Sequence, residues 1–335
     1  MYKKIKPYLN RLNFYMGNNP KIADNNNRHQ FIPSPYKSVV LISADFELAW
    51  ASRYTKNAKD PYQKAINNAK RARKNIPKIL KCCKDYNIPI TWATVGHLFL
   101  NKCFAKDSVA HPNILRLNHF ENEYWRYDKG DWFDCDPCTN LKESPEWYAP
   151  DLIQNILNSD IKHEIGCHTF SHIDCSDKIC SDAVFNCEIN ECKLQAEKFN
   201  IELETFVHPG HIIGNLDNLS KMGFTSFRSN NRNILGYPAK HKNGLWEFEQ
   251  TAEFAYQPQW SIEYHIYRYK KIIDRAIKSK TLCYLWFHPS FNSIVIDEIL
   301  PSVFTYIQEK KNQIWITTHR KYVNWLQNKK LSPTQ

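Results

Sequence analysis

Two histidines and two carboxylates are the residues whose types and spacing favour metal chemistry. His168 and His172 are separated by three residues, so both imidazoles can bind one ion from a helix or from a tight strand-to-loop bend. Asp45 and Glu47 follow an apolar run at 39–44, and residues two apart on an extended chain project to the same side. Three protein ligands leave one position open for water, as catalytic zinc requires. The set predicts a metal-dependent hydrolase.

The surrounding sequence supports this prediction more than the spacing does. With 13 histidines in 335 residues, such a pair arises by chance in about one of two chains. Strand-like runs at 38–44 and 161–167 end at the carboxylates and at the histidine pair, and Leu285-Trp-Phe-His288 adds another histidine. In order and spacing these motifs resemble the polysaccharide deacetylase superfamily, carbohydrate esterase family four with its nodulation-type chitooligosaccharide deacetylase homology domain, over roughly residues 38–325.

Length and periodicity predict one α/β domain. A chain of 335 residues with 42% apolar content can bury a large core, and strands alternating with helices favour a parallel sheet closed or nearly closed into a barrel. We therefore expect a distorted or incomplete, TIM-like (β/α) barrel of seven to eight strands at 36–328. A basic, Asn-rich arm at 1–35 precedes it, a tail at 329–335 follows, and a long aromatic loop at 105–150 covers the site.

Local patterns place the elements of this barrel. Pro77 is expected to kink or split the first long helix, and a further helix is expected to open at Gly96 and His97. His97 itself is predicted to be a packed or surface histidine rather than a pocket residue. The predicted strands are 38–44, 90–94, 161–167, 203–207, 224–228, 245–249, 281–287 and 313–317. The first long helix is predicted at 62–86, and further helices are predicted at 181–199, 216–222, 261–278, 294–310 and 319–327.

Strand carboxyl ends converge at one mouth of a parallel barrel, where a site belongs. Glu47, His168 and His172 are predicted to bind one divalent ion, which would polarise a water and an acyl oxygen. Zinc is favoured, with cobalt, nickel and iron as alternatives for this oxygen and nitrogen set. Asp45 would act as the general base, and His288, from the opposite side, as the general acid that protonates the leaving amine.

Substrate contacts are predicted around the same mouth. Main-chain N–H groups near Gly210 would complete an oxyanion site. His208 and His211 form a second histidine cluster at a strand end that would donate to substrate, with a satisfied loop histidine as the alternative. In family four the third motif carries an arginine before a proline, whereas this chain has Val207-His208-Pro209. The resemblance therefore implies that His208 or Arg228 compensates, with Trp246 as an apolar wall. Trp132, in the long aromatic loop, is assigned to substrate binding because aromatic faces suit sugar C–H surfaces.

The resemblance is strongest to an intracellular branch that accompanies surface-polysaccharide synthesis, through Ser-Ala-Asp-Phe-Glu-Leu-Ala-Trp50 and Thr91-Trp-Ala-Thr-Val-Gly96. It implies removal of an acetyl or formyl group from an amino sugar of a saccharide or of its nucleotide- or lipid-linked precursor. Two alternatives stay open. One is a catalytically impaired saccharide-binding barrel, suggested by the missing arginine. The other is a hydrolase of a non-sugar amide, such as a ureide or cyclic imide.

The net charge limits which partners are expected, and the cysteine content indicates the cellular compartment. Lys+Arg 45 against Asp+Glu 34 gives a net charge of +11, which fits an anionic saccharide or a generally basic proteome. No nucleic-acid recognition module is evident, no apolar run reaches membrane-spanning length, and membrane contact through the arm would be peripheral. Eleven cysteines and a start without a signal-like apolar stretch favour the cytoplasm. Unpaired thiols are favoured over a zinc site of Cys135, Cys138, Cys175 and Cys180.

Overall fold

A curled parallel sheet organises the protein. The computed structural model describes residues 20–23, 30–231 and 233–329, and the eight principal strands of the main sheet run parallel. In chain order they are β1 Ser38–Phe46, β2 Thr91–Thr94, β3 Glu164–Cys167, β4 Thr205–Val207, β5 Ser226–Asn231, β6 Trp246–Gln250, β7 Leu282–Phe287 and β8 Ile314–Thr317. Their order in the sheet is β6-β5-β4-β3-β2-β1-β7, and β8 pairs with the first half of β1.

The two ends of this sheet meet through one stretch of chain. β6 pairs with β5 at one end of the sheet. Directly after β6, the short strand Ala252–Glu253 pairs with β7 at the other end, in register with Leu285 and Trp286. The sheet therefore curls into a distorted barrel, which confirms the predicted fold class. Strand carboxyl ends consequently lie around one mouth.

Helices cover the outside of the barrel. In the described part they are α1 Pro61–Tyr86, α2 Pro150–Leu157, α3 Asp182–Glu197, α4 Leu216–Lys221, α5 Ile262–Ser279, α6 Leu300–Glu309 and α7 His319–Asn328, and a π-helical segment, Ile294–Ile299, leads into α6. α1 is capped by Asp60, whose side chain accepts from the Gln63 amide. It continues as one helix through Pro77, so of the predicted kink or split, the split is wrong. The helix predicted at Gly96 is only a 3₁₀ turn, Gly96–Phe99.

The pleat of β1 separates an outer core from an inner one. Val40 and Ile42 pack in the large cluster beneath the helices, whereas Val39 and Leu41 belong to a smaller cluster that α7 closes. Because side chains alternate along a strand, Asp45 projects to the same side as Val39 and Leu41. The general base predicted from the sequence therefore points into the barrel interior.

Short strands and the segment 30–35 pack against this frame. Ile32 is buried, and the Tyr322 hydroxyl donates to the Phe31 carbonyl, so 30–35 packs with the barrel. Residues 1–19 and 24–29 of the predicted arm and 330–335 of the predicted tail lie outside the described residues. The short strands pair as Lys21–Ile22 with Ile234–Leu235, Ala105–Lys106 with Val109–Ala110, Phe120–Glu121 with Arg126–Tyr127, and Ala239–Lys240 with β6.

Within the described ranges, no helix has both the length and the apolar character needed to cross a bilayer.

Candidate active site

Three ligand atoms converge where β1 and β3 end. Glu47 Oε1 lies 3.0 Å from His168 Nε2 and 3.1 Å from His172 Nε2. His168 Nδ1 is 2.7 Å from the Val207 carbonyl. Since a carbonyl can only accept, we assign the proton of neutral His168 to Nδ1, which leaves the Nε2 lone pair facing the carboxylate. Acceptors at such distances repel unless a cation lies among them, so this group fits a divalent ion.

Backbone conformation brings the two imidazoles together. Thr169 and His172 both have a φ of 59°, in the left-handed region that residues with a side chain rarely adopt. The turn is fixed from within, because the Thr169 hydroxyl accepts from the Ile173 amide at 3.1 Å. It is also fixed from outside, since buried Glu188 accepts from both the amide and the hydroxyl of Ser171 at 2.8 and 2.6 Å. A sharp bend held in this way gives the preorganisation that a metal site needs.

Asp45 is held by a buried arginine. Arg228, on β5, donates to both carboxylate oxygens of Asp45 at 2.6 and 2.5 Å and to the Ser43 hydroxyl at 2.7 Å. Burial by itself raises the pKa of Asp45, but the charge and hydrogen bonds of Arg228 lower that pKa below its ordinary value. Asp45 is therefore ionised. Arg228 is fully buried, so we expect no direct contact with substrate, and its guanidinium orients the carboxylate. This is the role of the missing arginine, for which the sequence left His208 and Arg228 as the two candidates.

His288 approaches the same carboxylates from the end of β7. Its Nε2 is 3.6 Å from Glu47 Oε2, and its Nδ1 is 3.7 Å from Glu253 Oε1. Burial lowers the pKa of His288, but the negative charges of Glu47, Asp45 and Glu253 outweigh it and raise the pKa to about 9. The imidazole is partly exposed and lies beside the proposed base, as a proton donor must.

A cavity of about 600 Å³ opens above these groups. Two of its aromatic walls, Tyr124 and Trp125, come from the insertion, which we define as residues 100–149. Gly210 lies beside Trp125, since a Cβ built on this glycine would be 2.9 Å from the indole ring. The residues that line the cavity are Asp45, Glu47, Leu48, Ala51, Ser52, Thr55, Lys64, Asn68, Arg71, Tyr124, Trp125, His172, Gly210, His211, His288, Ser290, Phe291 and Asn292.

Three predicted substrate contacts do not line this cavity. Trp246 begins β6 and packs in the inner cluster, at the opposite end of the strand from the mouth. Trp132 is buried and donates to the Ser171 hydroxyl at 2.9 Å, so it supports the histidine loop. His208 is fully buried, and its Nε2 donates to the Gly214 carbonyl at 3.1 Å. The cavity instead contains His211, whose Nδ1 accepts from Gln250 at 3.0 Å.

Sequence reasoning found the strand ends but missed which side chains turn toward the mouth. Trp125 lies in the same insertion as Trp132 and is equally aromatic, and only the fold distinguishes them. His211 lies three residues further from the strand end than His208. Its φ of 59° turns the chain at that point. Within the described chain all eleven cysteines are free of disulfides.

No protein-family model and no curated protein matches the sequence. Solved structures do share the fold. A protein assigned as a polysaccharide deacetylase from Mycobacterium smegmatis superposes with a TM-score of 0.61 at 12% identity, covering 94% of this chain and 97% of that one. A protein assigned as a polysaccharide deacetylase from Pseudomonas aeruginosa PAO1 gives 0.62 at 13%, covering 93% and 97%. Puue allantoinase gives 0.60 at 13%, covering 90% and 93%. The chain therefore has the fold of the polysaccharide deacetylase superfamily.

Proposed function

We propose that this chain is a metal-dependent hydrolase that removes an acetyl or formyl group from the nitrogen of an amino sugar. The substrate is a saccharide or its nucleotide- or lipid-linked precursor. One observation carries the proposal: the Asp45 carboxylate, paired with Arg228, lies in the same cavity as Glu47, His172 and His288. An ionised base, a cation site and a proton donor are the three groups that amide hydrolysis needs.

Glu47, His168 and His172 would hold the ion. Two imidazole nitrogens and one carboxylate oxygen fit zinc, and cobalt, nickel and iron are compatible with the same donors. When bound, such an ion polarises the acyl oxygen and lowers the pKa of a water molecule to about 7. The group is closed on its far side by the Val207 carbonyl and the Glu188-anchored loop, so access is from the cavity.

The protein groups divide the proton transfers between them. Asp45 takes a proton from the attacking water as its oxygen bonds to the acyl carbon, and Arg228 keeps this carboxylate oriented and ionised. His288 donates a proton to the nitrogen as the carbon–nitrogen bond breaks, because an amine leaves poorly without one. The products are a carboxylate and a free amino group. Main-chain N–H groups at Gly210 face the acyl oxygen in this proposal.

Cavity size and lining support a saccharide. A volume of about 600 Å³ falls within the 300–1,000 Å³ usual for ligand pockets, and it exceeds what a small cyclic imide fills. Tyr124 and Trp125 offer faces to sugar C–H groups. Lys64 and Arg71, on α1, line the same cavity and favour a substrate that carries negative charge, such as a pyrophosphate-linked sugar.

A ureide hydrolase is the second candidate, because Puue allantoinase has the same fold. The third candidate, a catalytically impaired saccharide-binding barrel, was suggested because the arginine of the third motif is missing. Arg228 supplies a guanidinium to Asp45 in its place. Nothing in the described residues therefore favours the third candidate. The cytoplasmic location stays a prediction from the cysteine content.

The test combines metal analysis with detection of released acid. Purified protein, loaded with zinc, cobalt, nickel or iron, is incubated with N-acetylated and N-formylated saccharides, both polymeric and nucleotide-linked, and with allantoin. We expect acetate or formate release that a chelator abolishes, and a loss of at least 100-fold in Asp45→Asn. Release of a product from allantoin alone would establish the second candidate. Saccharide binding that chelator leaves unchanged, with no acid released by any metal form, would refute hydrolysis.

A further inference from the structure

A second group of metal-ligating side chains lies where the insertion meets the barrel, away from the cavity. Asp136 Oδ2 is 3.0 Å from His97 Nε2 and 2.8 Å from His111 Nε2, and the two Nε2 atoms are 3.1 Å apart. Cys103 Sγ lies 3.5 Å from the same carboxylate oxygen. All four ligand atoms lie within 4.8 Å of one another. The group matches the spacing seen around Glu47, with a thiol added.

Hydrogen bonds at the back of His97 direct its lone pair into this group. Its Nδ1 lies 3.1 Å from the Trp147 carbonyl, which can only accept, so the proton of neutral His97 belongs on Nδ1. The Nε2 lone pair then faces Asp136 Oδ2. A proton on His111 Nε2 can be donated to Asp136. The His97 Nε2 lone pair still faces the Asp136 Oδ2 atom, however, and both of these atoms are acceptors.

Protonating His97 instead would place an imidazolium in a site with no solvent exposure. Taking that charge out of water costs desolvation free energy. A cation shared by His97, His111 and Asp136 removes the conflict without a buried proton. The remaining Asp136 oxygen is already occupied, since Oδ1 accepts from the Cys138 amide at 3.0 Å.

We propose that His97, Cys103, His111 and Asp136 form a second metal site that binds zinc and fastens the insertion to the barrel. Two nitrogens, one oxygen and one sulfur are zinc donors. Zinc bond lengths of about 2.0–2.3 Å place tetrahedral ligands about 3.3–3.8 Å apart, slightly more than the separations observed. Four protein ligands leave no open position, so the site is structural rather than catalytic.

The position of the site explains what such a metal would do. His97 follows β2 on the barrel, whereas Cys103, His111 and Asp136 belong to the insertion. The left-handed backbone of His111, with a φ of 46°, is strained for a residue with a side chain, and a ligand bond would compensate for it. The Tyr148 hydroxyl, 3.1 Å from Cys103 Sγ and 3.3 Å from Asp136 Oδ1, orients two of the ligands.

Cobalt distinguishes this site from the one at Glu47, because only the second site contains sulfur. Chelated full-length protein is titrated with Co²⁺ while the near-ultraviolet thiolate-to-cobalt charge-transfer band is followed. We expect this band to saturate at one equivalent, and two equivalents of metal to bind in all. The His172→Gln variant should lose one equivalent and keep the band, since its site has only nitrogen and oxygen ligands.

Cys103→Ser should lose the charge-transfer band, and Asp136→Asn should weaken metal retention at that site by 10-fold or more. Cys135→Ser is the matched control, a half-buried thiol of the same insertion outside the group, and should keep the band. Far-ultraviolet circular dichroism checks that each variant folds. A band of equal strength in Cys103→Ser, or wild-type protein that binds one equivalent without a band, would overturn the proposal. The readout does not depend on turnover, so it stands apart from the test of the hydrolase.

Discussion

Arg228 binds both carboxylate oxygens of Asp45 across the interior of the barrel. The two residues lie on β5 and β1, which are separated by three strands in the sheet. Both side chains are buried: that of Arg228 has no exposed surface, and that of Asp45 is 4% exposed. A buried ion pair of this kind contributes little compared with an apolar pair, but losing one partner leaves an uncompensated charge. The pair therefore fixes the orientation and the ionisation of the proposed base together.

The Arg228→Met variant should be destabilised by about 3–5 kcal/mol, because it leaves the Asp45 charge buried without a partner. Urea denaturation at neutral pH measures this change. The double variant with Asp45→Asn should recover most of the loss, since no charge is then left. Arg71→Met, an exposed position on α1, is the control and should change stability by less than about 0.5 kcal/mol. A single variant as stable as wild type would contradict the inferred pairing.

Activity should respond to the same change through pH. Without Arg228, only the weaker attraction of His168 and His288 opposes the effect of burial, so the pKa of Asp45 rises. Because the base works only when ionised, the acid limb of kcat/KM should move to higher pH.

Site residues could be predicted from the sequence where a local pattern determines their position. They could not be predicted where their position depends on how the sheet closes into a barrel. Asp45 and Glu47 could be placed because they stand at the end of a continuous apolar run, Ser38–Phe46, which is buried throughout. The partner of Asp45 could not be identified with certainty, since that requires knowing which residues of β1 and β5 share a level inside the barrel. The second metal group was missed for a related reason. His97, Cys103, His111 and Asp136 have no regular spacing, and only the folded insertion brings them together.

Gly210→Ala should perturb the cavity wall. The φ of +58° is unfavourable for alanine, and the added Cβ would lie 2.9 Å from the Trp125 ring, so this ring must move. We expect destabilisation of about 1–2 kcal/mol from the backbone and a rise in KM with a smaller change in kcat. Gly244→Ala is the matched control, because its φ is +93° but nothing lies within 4 Å of the new Cβ. It should share the stability loss and keep KM. An equal change of KM in both variants would show that Trp125 does not form part of the binding wall.

Glu164→Gln should alter the pH dependence of stability. Burial raises the pKa of Glu164 above its ordinary 4.5, and hydrogen bonds from Thr91 and Arg320 oppose this only in part. The folded protein therefore binds more protons than the unfolded chain above pH 4.5, so the stability contribution of this group falls as pH rises through its folded-state pKa. Glutamine cannot ionise, so the variant should gain stability relative to wild type between pH 4.5 and pH 7.5. Urea titrations at the two pH values measure the difference, and a constant difference would refute the assignment.

Replacing the cationic side chains of the cavity should discriminate between charged and neutral substrates. Lys64→Gln and Arg71→Gln each remove one positive charge from the lining, and a charge contact near the surface contributes about 1 kcal/mol, or about fivefold in affinity. If the substrate is pyrophosphate-linked, KM should rise by about that factor per replacement while kcat stays constant, and added salt should shrink the effect. Lys74→Gln, on the same helix and exposed outside the cavity, should leave KM unchanged. Kinetics with a nucleotide-linked and an uncharged N-acetylated saccharide measure the contrast. Equal effects on both would mean that these side chains act on the sugar itself and that no anionic group binds there.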